Sequence, residues 1–398
     1  MFFALGINKE KEAVKCVGLA PSTDSCLRFL EVSEMKSLVF IFIFIFMVVP
    51  TYVLSQEIKI GLITSGPLAN LERTAANMAV QDANKIIGHE ITLIPLDGGC
   101  TEEQTKSAMD DLRDSKALCI IGAFCGSGLP FAAKHSKDIE IPVISLSSVN
   151  ESILKTGYPW FFGEVPRVRR WVNAIASEME KRQVKEVTVL AWDNPYGKAG
   201  LSYWEALKKI KVSSEVAFPV RTADFGQYLS KAKKVGGLTF ICSDYEAARG
   251  IQQAIDSGFA PEVIGGIFLP TPDFFTLTEK IQRPIMFPIV YPPNQFKNEE
   301  FFAKISTHED LKRFSQSIYR SKDIMDMLAI AITRTKDRSP KAIRDSIQNF
   351  TAKEVFNKGI SGSIKIDPKT NEWLQDFYIG QWLKGQYLTA GGPHNHEP

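Results

Sequence analysis

The sequence predicts an α/β protein made of two doubly wound halves, and three observations carry this. Short apolar runs rich in Ile and Val alternate with segments of helical period. The links between them are short. The alternation then restarts near residue 169 with a second set of strands and helices. Such a pattern makes mostly parallel sheets with helices on both faces.

Taken in order, Glu57–Ile63 alternates and is Ile-rich, which predicts a buried strand. Thr64-Ser65-Gly66-Pro67 is a turn. Leu71–Lys85 places Leu71, Ala75, Met78, Ala79 and Ala83 on one helical face. A strand is expected at Glu90–Leu96 and a helix at Thr101–Asp114, where Thr101 and Gln104 have capping-box spacing. Ala117–Gly122 is a strand, Leu129–Lys137 a helix and Ile141–Ser145 a strand.

The second half predicts helix Arg169–Arg182, strand Glu186–Trp192, helix Gly200–Lys209 and strand Ser214–Pro219. Helix Phe225–Lys233, strand Leu238–Ile241, helix Tyr245–Asp256 and strand Val263–Phe268 follow. The C-terminal third changes character. It holds a helix at Ser321–Thr335, another at Ser339–Asn349 with Pro340 in its first turn, and two strands, Gly362–Ile366 and Asp376–Trp382. The tail Gly391–Pro398 is expected to be disordered.

The chain has 398 residues, 44% hydrophobic and 23% charged, an ordinary globular composition. That length suggests two domains. A net charge of +2 without a long basic run argues against a nucleic-acid partner. The apolar run Leu38–Val49 follows Lys36 and ends at Pro50. It is shorter than the roughly 20 residues a membrane-spanning helix needs. With Val53 and Ser55 at the −3 and −1 positions, residues 35–55 predict a signal peptide cleaved before Gln56. An uncleaved anchor is the alternative, and no cysteine follows closely enough for bacterial lipidation. Residues 1–34, with Cys16 and Cys26, precede Met35, which is read as the true initiator, and are excluded from the mature protein. The mature product is then periplasmic or extracellular and soluble.

Cys100 and Cys125 bracket one predicted helix and one strand, and end at the turn Gly126-Ser127-Gly128. Open parallel sheets hold ligands at such turns, beyond the carboxyl ends of their strands. The chain therefore reads as an exported small-molecule binder.

Several segments resemble one known group in order and spacing. Gly61 to Ala69 (GLITSGPLA) resembles an opening strand and S-G-P turn. Ile121 to Ser127 resembles an I-G-x-x-C-S-S turn, and Ile141 to Ser145 the strand after it. Leu154 to Phe162 (LKTGYPWFF) resembles a crossover. Asp193-Asn194-Pro195-Tyr196-Gly197 resembles D-x-x-Y-G, and Ala223-Asp224-Phe225 a T-D-F helix start. Together these resemble type I periplasmic substrate-binding proteins, in particular the leucine/isoleucine/valine-binding receptors of ABC transporters, over roughly Glu57 to Tyr387. The resemblance implies two Rossmann-like lobes joined by three hinge crossovers, near Gly163, Tyr291 and Ile366. Residues 56–163 and 292–366 would form lobe 1, and residues 164–291 and 367–390 lobe 2. It also implies a Cys100–Cys125 disulfide.

In that family a serine, a threonine and backbone amides hold the ligand carboxylate, and an acidic residue of the second lobe holds the ammonium. Carried over position by position, this sequence departs at the anchors. Gly126 stands where a serine is expected, beside Ser127. Val149 stands at the threonine position, after Ser147 and Ser148. The acidic position falls at Ile267 or Phe268, and the aromatic near the S-G-P turn becomes Leu71. Tyr196 is kept. Asp244 and Tyr245 open a helix beside the expected cleft. Asp244, Glu72 and Asp273 are the acidic side chains left for an ammonium. A buried ammonium without a counter-charge costs several kcal/mol. The expected ligand is therefore a small carboxylate or amide with an apolar or aromatic part, rather than a branched-chain amino acid.

The plainer reading of each residue stands beside this one. Ser127 and Ser147 fit turns, Tyr196 fits packing, Phe268 fits a core, and Cys119 and Cys242 fit buried thiols. Five histidines and no nucleophile, dinucleotide or Walker motif argue against an enzyme. His394 and His396 fall in the tail, so neither a metal nor a cofactor is expected. The implied partners are a small-molecule ligand and an ABC permease, with the protein a monomer that closes on its ligand. An extracellular ligand-sensing protein of the same fold that signals through a membrane partner is the alternative. A receptor ectodomain would want a membrane helix after the binding region and none is seen, the N-glycosylation triplets at Asn150 and Asn349 are of a kind frequent by chance, and an intracellular sensor or repressor is disfavoured by the leader and by the absence of a helix-turn-helix before Glu57.

Overall fold

The computed structural model describes residues 57–65, 69–99, 101–124, 128–147, 152–153, 157–164, 167–267, 271–291, 299–307, 315–351, 354–360 and 362–394. The first half holds β1 (Ile58–Thr64), α1 (Ala69–Ile87), β2 (Ile91–Asp97), α2 (Glu102–Asp114), β3 (Cys119–Gly122), α3 (Gly128–Ile139), β4 (Val143–Ser145) and β5 (Phe161–Gly163). All five strands are parallel, in the order β2-β1-β3-β4-β5.

The period of two along each strand sorts side chains to opposite faces. Ile60, Ile121, Ile144 and Phe162 enter one core; Ile63, Ile120, Val143 and Phe161 enter the other. Helix α1 covers the first face, while α2 and α3 cover the second. Thr101 caps α2, with the Gln104 backbone amide donating to Thr101 Oγ1 at 3.2 Å.

The second half continues with α4 (Val168–Lys181), β6 (Glu186–Trp192), α5 (Pro195–Ala206), β7 (Lys211–Phe218), α6 (Gly226–Leu229), β8 (Gly237–Ile241), α7 (Asp244–Asp256), β9 (Val263–Gly266), α8 (Pro272–Thr278) and β10 (Ile285–Ile289). The strand order β7-β6-β8-β9-β10 repeats that of the first sheet. The chain then forms α9 (Glu299–Ser306), α10 (Ser315–Arg334) and α11 (Pro340–Gln348). Both α10 and α11 pack back on the first sheet, in the core that holds Ile60 and Ile144. A small antiparallel sheet is made of β11 (Phe356–Gly359), β12 (Gly362–Ile366) and β13 (Trp373–Leu374). Finally β14 (Phe377–Leu383) and β15 (Gln386–His394) extend the second sheet antiparallel from β10. The fold is two doubly wound α/β lobes, each assembled from separated parts of the chain.

Three expectations are corrected. The helix expected at Gly200–Lys209 begins instead at Pro195, because the Asn194 side chain caps it by accepting from the Gly197 amide at 2.9 Å. The helix expected at Phe225–Lys233 closes after one turn, since the Lys233 amide donates to Ser214 Oγ rather than to a helical carbonyl. The tail is not disordered from Gly391: β15 carries on to His394 because its backbone pairs with β14, Ile379 opposite Gly391 and Phe377 opposite His394. Strands β5, β10, β11, β13 and β15 and helices α8 and α9 were not expected; β5 and β10 are short apolar runs without an alternating pattern.

Candidate functional site

In an open α/β sheet the ligand crevice lies beyond the strand carboxyl ends where the strand order reverses. The two sheets place that point at corresponding positions, between β1 and β3 in the first and between β6 and β8 in the second. The exits of β1 and β4 lead to Leu71 and Ser147; the exits of β6 and β8 lead to Tyr196 and to Asp244 with Tyr245. Of the expected site residues, Gly126, Ser127, Ser148, Val149 and Phe268 lie outside the described residues, as do Cys100 and Cys125.

Tyr196 sits in the first turn of α5, ring half-buried, and donates its hydroxyl to the Ile267 carbonyl at 2.9 Å. Burial holds the phenol well above its ordinary pKa, so it stays a hydrogen-bond donor. The contact ties the exit of β6 to the exit of β9. Gly197 follows because nothing larger fits: a Cβ there would lie 2.0 Å from the Trp192 carbonyl oxygen. Gly197→Ala is expected to cost about 1–3 kcal/mol by overpacking against backbone, read as a lowered urea midpoint. A midpoint equal to wild type would show that α5 does not need this close approach.

Asp244 opens α7 and accepts a hydrogen bond from the Thr271 hydroxyl. Burial raises its pKa, against that hydrogen bond, and the nearby Asp273 adds to the rise. One of its oxygens is thus committed to linking α7 to α8. Asp273 itself is exposed. Tyr245 is 42% exposed, with the Arg249 guanidinium 4.9 Å above its ring. Ser243 caps α7 by accepting from the Glu246 amide and donates its hydroxyl to the Glu246 carboxylate, a cap that the S-x-x-E spacing displays. Cys242 and Cys119 are free and buried, and burial raises both thiol pKa values, which leaves them poor nucleophiles.

Ser147 donates its hydroxyl to the Phe124 carbonyl at 2.7 Å, joining the β3 and β4 exits. Leu71, half-buried in the first turn of α1, packs on the same apolar cluster as Tyr196, Ile267 and Tyr291. Leu71 of α1 and Tyr196 of α5 thus both pack against one buried cluster.

A group of buried charges at this edge was largely missed. Glu72, in the first turn of α1, is 8% exposed, and its Oε2 has no hydrogen-bond partner. Burial raises its pKa to about 8, with Arg320 pulling the other way. Arg320 on α10 is 2% exposed. Its Nε lies 3.5 Å from Glu164 Oε2, and its Nη1 donates to the Leu146 carbonyl at 3.4 Å, next to Ser147. Glu164, fully buried after β5, accepts from Gln375 Nε2 at 3.0 Å, and burial raises its pKa. Tyr291 donates to Asp323 Oδ2 at 3.2 Å. The available signal was Arg320, Lys322, Asp323 and Asp326 set within the apolar stretch of α10. Nothing in that spacing says which of these charges face inward.

The chain segments around Gly163 and Glu372 run side by side here. Gly163 bridges Glu372 in parallel, the Gly163 amide donates to the Asn371 carbonyl at 3.1 Å, and Gln375 Nε2 also donates to the Glu164 carbonyl. Arg167 Nε donates to Glu372 Oε2 at 2.6 Å. Among the described residues no group of three His, Cys, Asp or Glu side chains is placed to hold a metal ion, and no helix is long and apolar enough to cross a membrane.

Solved structures share this architecture. A branched-chain amino acid transporter substrate-binding protein, LivJ from Streptococcus pneumoniae in complex with isoleucine, is 18% identical, with TM-score 0.74, covering 85% of this chain and 100% of its own. The leucine-binding protein LivK of Thermotoga maritima is 20% identical, with TM-score 0.71 and coverage of 84% and 98%. An ABC transporter solute-binding protein from R. palustris in complex with 4-hydroxybenzoate is 18% identical, with TM-score 0.72 and coverage of 85% and 96%. At these identities the likeness concerns the fold, which is the type I periplasmic binding fold with two lobes. The family model described as periplasmic binding protein matches residues 57–386, from the start of β1 to the start of β15, and by that match the chain belongs to the periplasmic binding protein family.

Proposed function

We propose that this chain is an exported solute receptor whose two lobes close on a small carboxylate or amide bearing an apolar or aromatic part, and that it delivers this ligand to an ABC permease. The observation that carries the reading is the paired strand order. Both sheets reverse at corresponding points, and Leu71, Ser147, Tyr196 and Asp244 stand at or beside those exits. The ligand class rests on the departures from the family pattern. Ile267 and Phe268 offer no carboxylate where the ammonium would be held. Asp273 is exposed, and Asp244 already accepts from Thr271. Relatives of the fold in complex with isoleucine and with 4-hydroxybenzoate indicate that the scaffold accommodates either class.

In this reading residues 35–55 direct export, Cys100 pairs with Cys125, and the mature protein works as a monomer. Lobe 1 comprises residues 56–163 and 292–366, and lobe 2 residues 164–291 and 367–390. Ser127, Ser147 and Ser148 meet the polar end of the ligand, beside Gly126. Leu71, Val149, Tyr196 and Phe268 enclose its apolar end, and Asp244 and Tyr245 offer a polar contact from the second lobe. Closure is a population shift, because a ligand touching both lobes stabilises the closed state.

Thermal shift against aromatic acids, aliphatic acids, amides, leucine and valine tests this, since a ligand that binds only the folded state raises the midpoint by mass action. The expected result is a rise with aromatic or aliphatic acids and none with leucine or valine. A strong rise with leucine or valine alone would overturn the ligand class.

A further inference from the structure

We propose that Glu72 is a ligand-binding side chain of the first lobe and that it binds as a neutral acid, donating its carboxyl proton to a carbonyl or carboxylate oxygen of the ligand. The proposal rests on the reading of the cleft given above and specifies which polar group the first lobe contributes there.

Placement comes first. Glu72 follows Leu71 in the first turn of α1, and Leu71 and Tyr196 both pack against the buried cluster that includes Ile267 and Tyr291. The charge that acts on it is Arg320, and Arg320 is hydrogen-bonded to the carbonyl just before Ser147. Glu72 thus lies within reach of the charge of Arg320, which itself reaches the β4 exit. Its Oε2 is buried with no partner. A buried polar atom left unpaired costs about 1–3 kcal/mol, which a ligand hydrogen bond recovers.

Charge decides the form in which it binds. Glu72, Glu164 and Arg320 are all nearly sealed from water, at 8%, 0% and 2% exposure. The nearest carboxylate contact of Arg320 is with Glu164, which leaves Glu72 as the surplus acid. Ionising both acids would bury a net negative charge, whereas a neutral Glu72 leaves the group balanced. The other charges of this group are engaged elsewhere: Arg73 Nε donates to Thr64 Oγ1, Asp323 accepts from Tyr291 and from the Ile360 amide, and Lys322 pairs with Asp326 and lies 3.9 Å from Asp82. Burial raises the Glu72 pKa to about 8, in the same direction. A neutral carboxyl is a donor toward oxygen and a poor anchor for an ammonium. It therefore selects for a carboxylate, amide or ketone.

Titration calorimetry on wild type, Glu72→Gln and Glu72→Ala, at pH 6.5 and pH 9, with benzoate, isovalerate and leucine as probes, tests this. Gln keeps a donor of similar shape, so Glu72→Gln should bind the acid probe within about threefold of wild type, while Glu72→Ala should lose about tenfold, one hydrogen bond's worth. Wild-type affinity should fall about tenfold from pH 6.5 to pH 9, and that of Glu72→Gln should not. An acid bound equally by wild type and Glu72→Ala overturns the proposal alone. Leucine bound by wild type and lost in Glu72→Gln overturns it in favour of an ionised ammonium anchor. A wild type that binds none of the three probes overturns the reading of the cleft, and the proposal with it. The isosteric variant keeps the comparison valid should Glu72→Ala fail to fold.

Discussion

Replacing Arg320 by methionine should destabilise the chain by about 3–5 kcal/mol, the usual consequence of removing one partner from a buried ion pair. The guanidinium is 2% exposed and faces the fully buried Glu164 at 3.5 Å. Methionine keeps much of the packing volume, so the loss is electrostatic rather than a cavity effect. Glu164 would then have to take a proton or sit in the interior as an unpaired charge. The double variant Arg320→Met/Glu164→Gln should recover most of the loss. Gln375 donates through Nε2 to Glu164 Oε1, and the amide oxygen of glutamine accepts that bond equally well. Urea unfolding of the two single variants and the double variant measures the coupling. A stability of Arg320→Met within about 1 kcal/mol of wild type would mean that Glu164 is already neutral when paired.

Glu72→Gln should make the chain more stable than wild type at high pH and should flatten its pH profile. The carboxyl has a folded pKa of about 8 against an ordinary value of 4.5, so the folded state holds this proton more tightly than the unfolded state does. Its contribution to stability is fully present below pH 4.5 and is lost as pH rises through 8. By linkage the wild type should lose roughly 5 kcal/mol at most relative to Glu72→Gln across that window. Glu164 is present in both proteins, so its own titration largely cancels from the difference. Chemical unfolding of both proteins at several pH values between 4 and 9 provides the test. Parallel profiles would show that Glu72 is ionised with ordinary hydration and would remove the basis for its role as a neutral donor.

Periodicity made most of the secondary structure legible. Strands such as Glu186–Trp192 and the helix Thr101–Asp114 with its N-cap at Thr101 need nothing beyond local pattern, because alternation and cap spacing act within a few residues. Failures came where a local pattern was short or tertiary partners decided. Strand β5 is three apolar residues and exists because β4 lies beside it. Strand β15 exists because β14 offers it a paired edge, which overrides the glycines at 391 and 392. That Leu71, Ser147, Tyr196 and Asp244 follow strand exits was legible, because the strand–helix alternation places those exits. What their side chains do was not, since Ser147 turned to the Phe124 carbonyl, Tyr196 to the Ile267 carbonyl and Asp244 to Thr271.

The sequence by itself determined the α/β class and the restart that makes two lobes, because each of these is written in residue type and spacing. Only the tertiary structure decided that Glu72, Glu164 and Arg320 meet in one nearly water-free place. These residues come from α1, from the segment after β5 and from α10, far apart in the chain. Their pKa values and pairing depend on burial and distance, which arise when α10 folds back onto the first sheet and are carried by no local pattern.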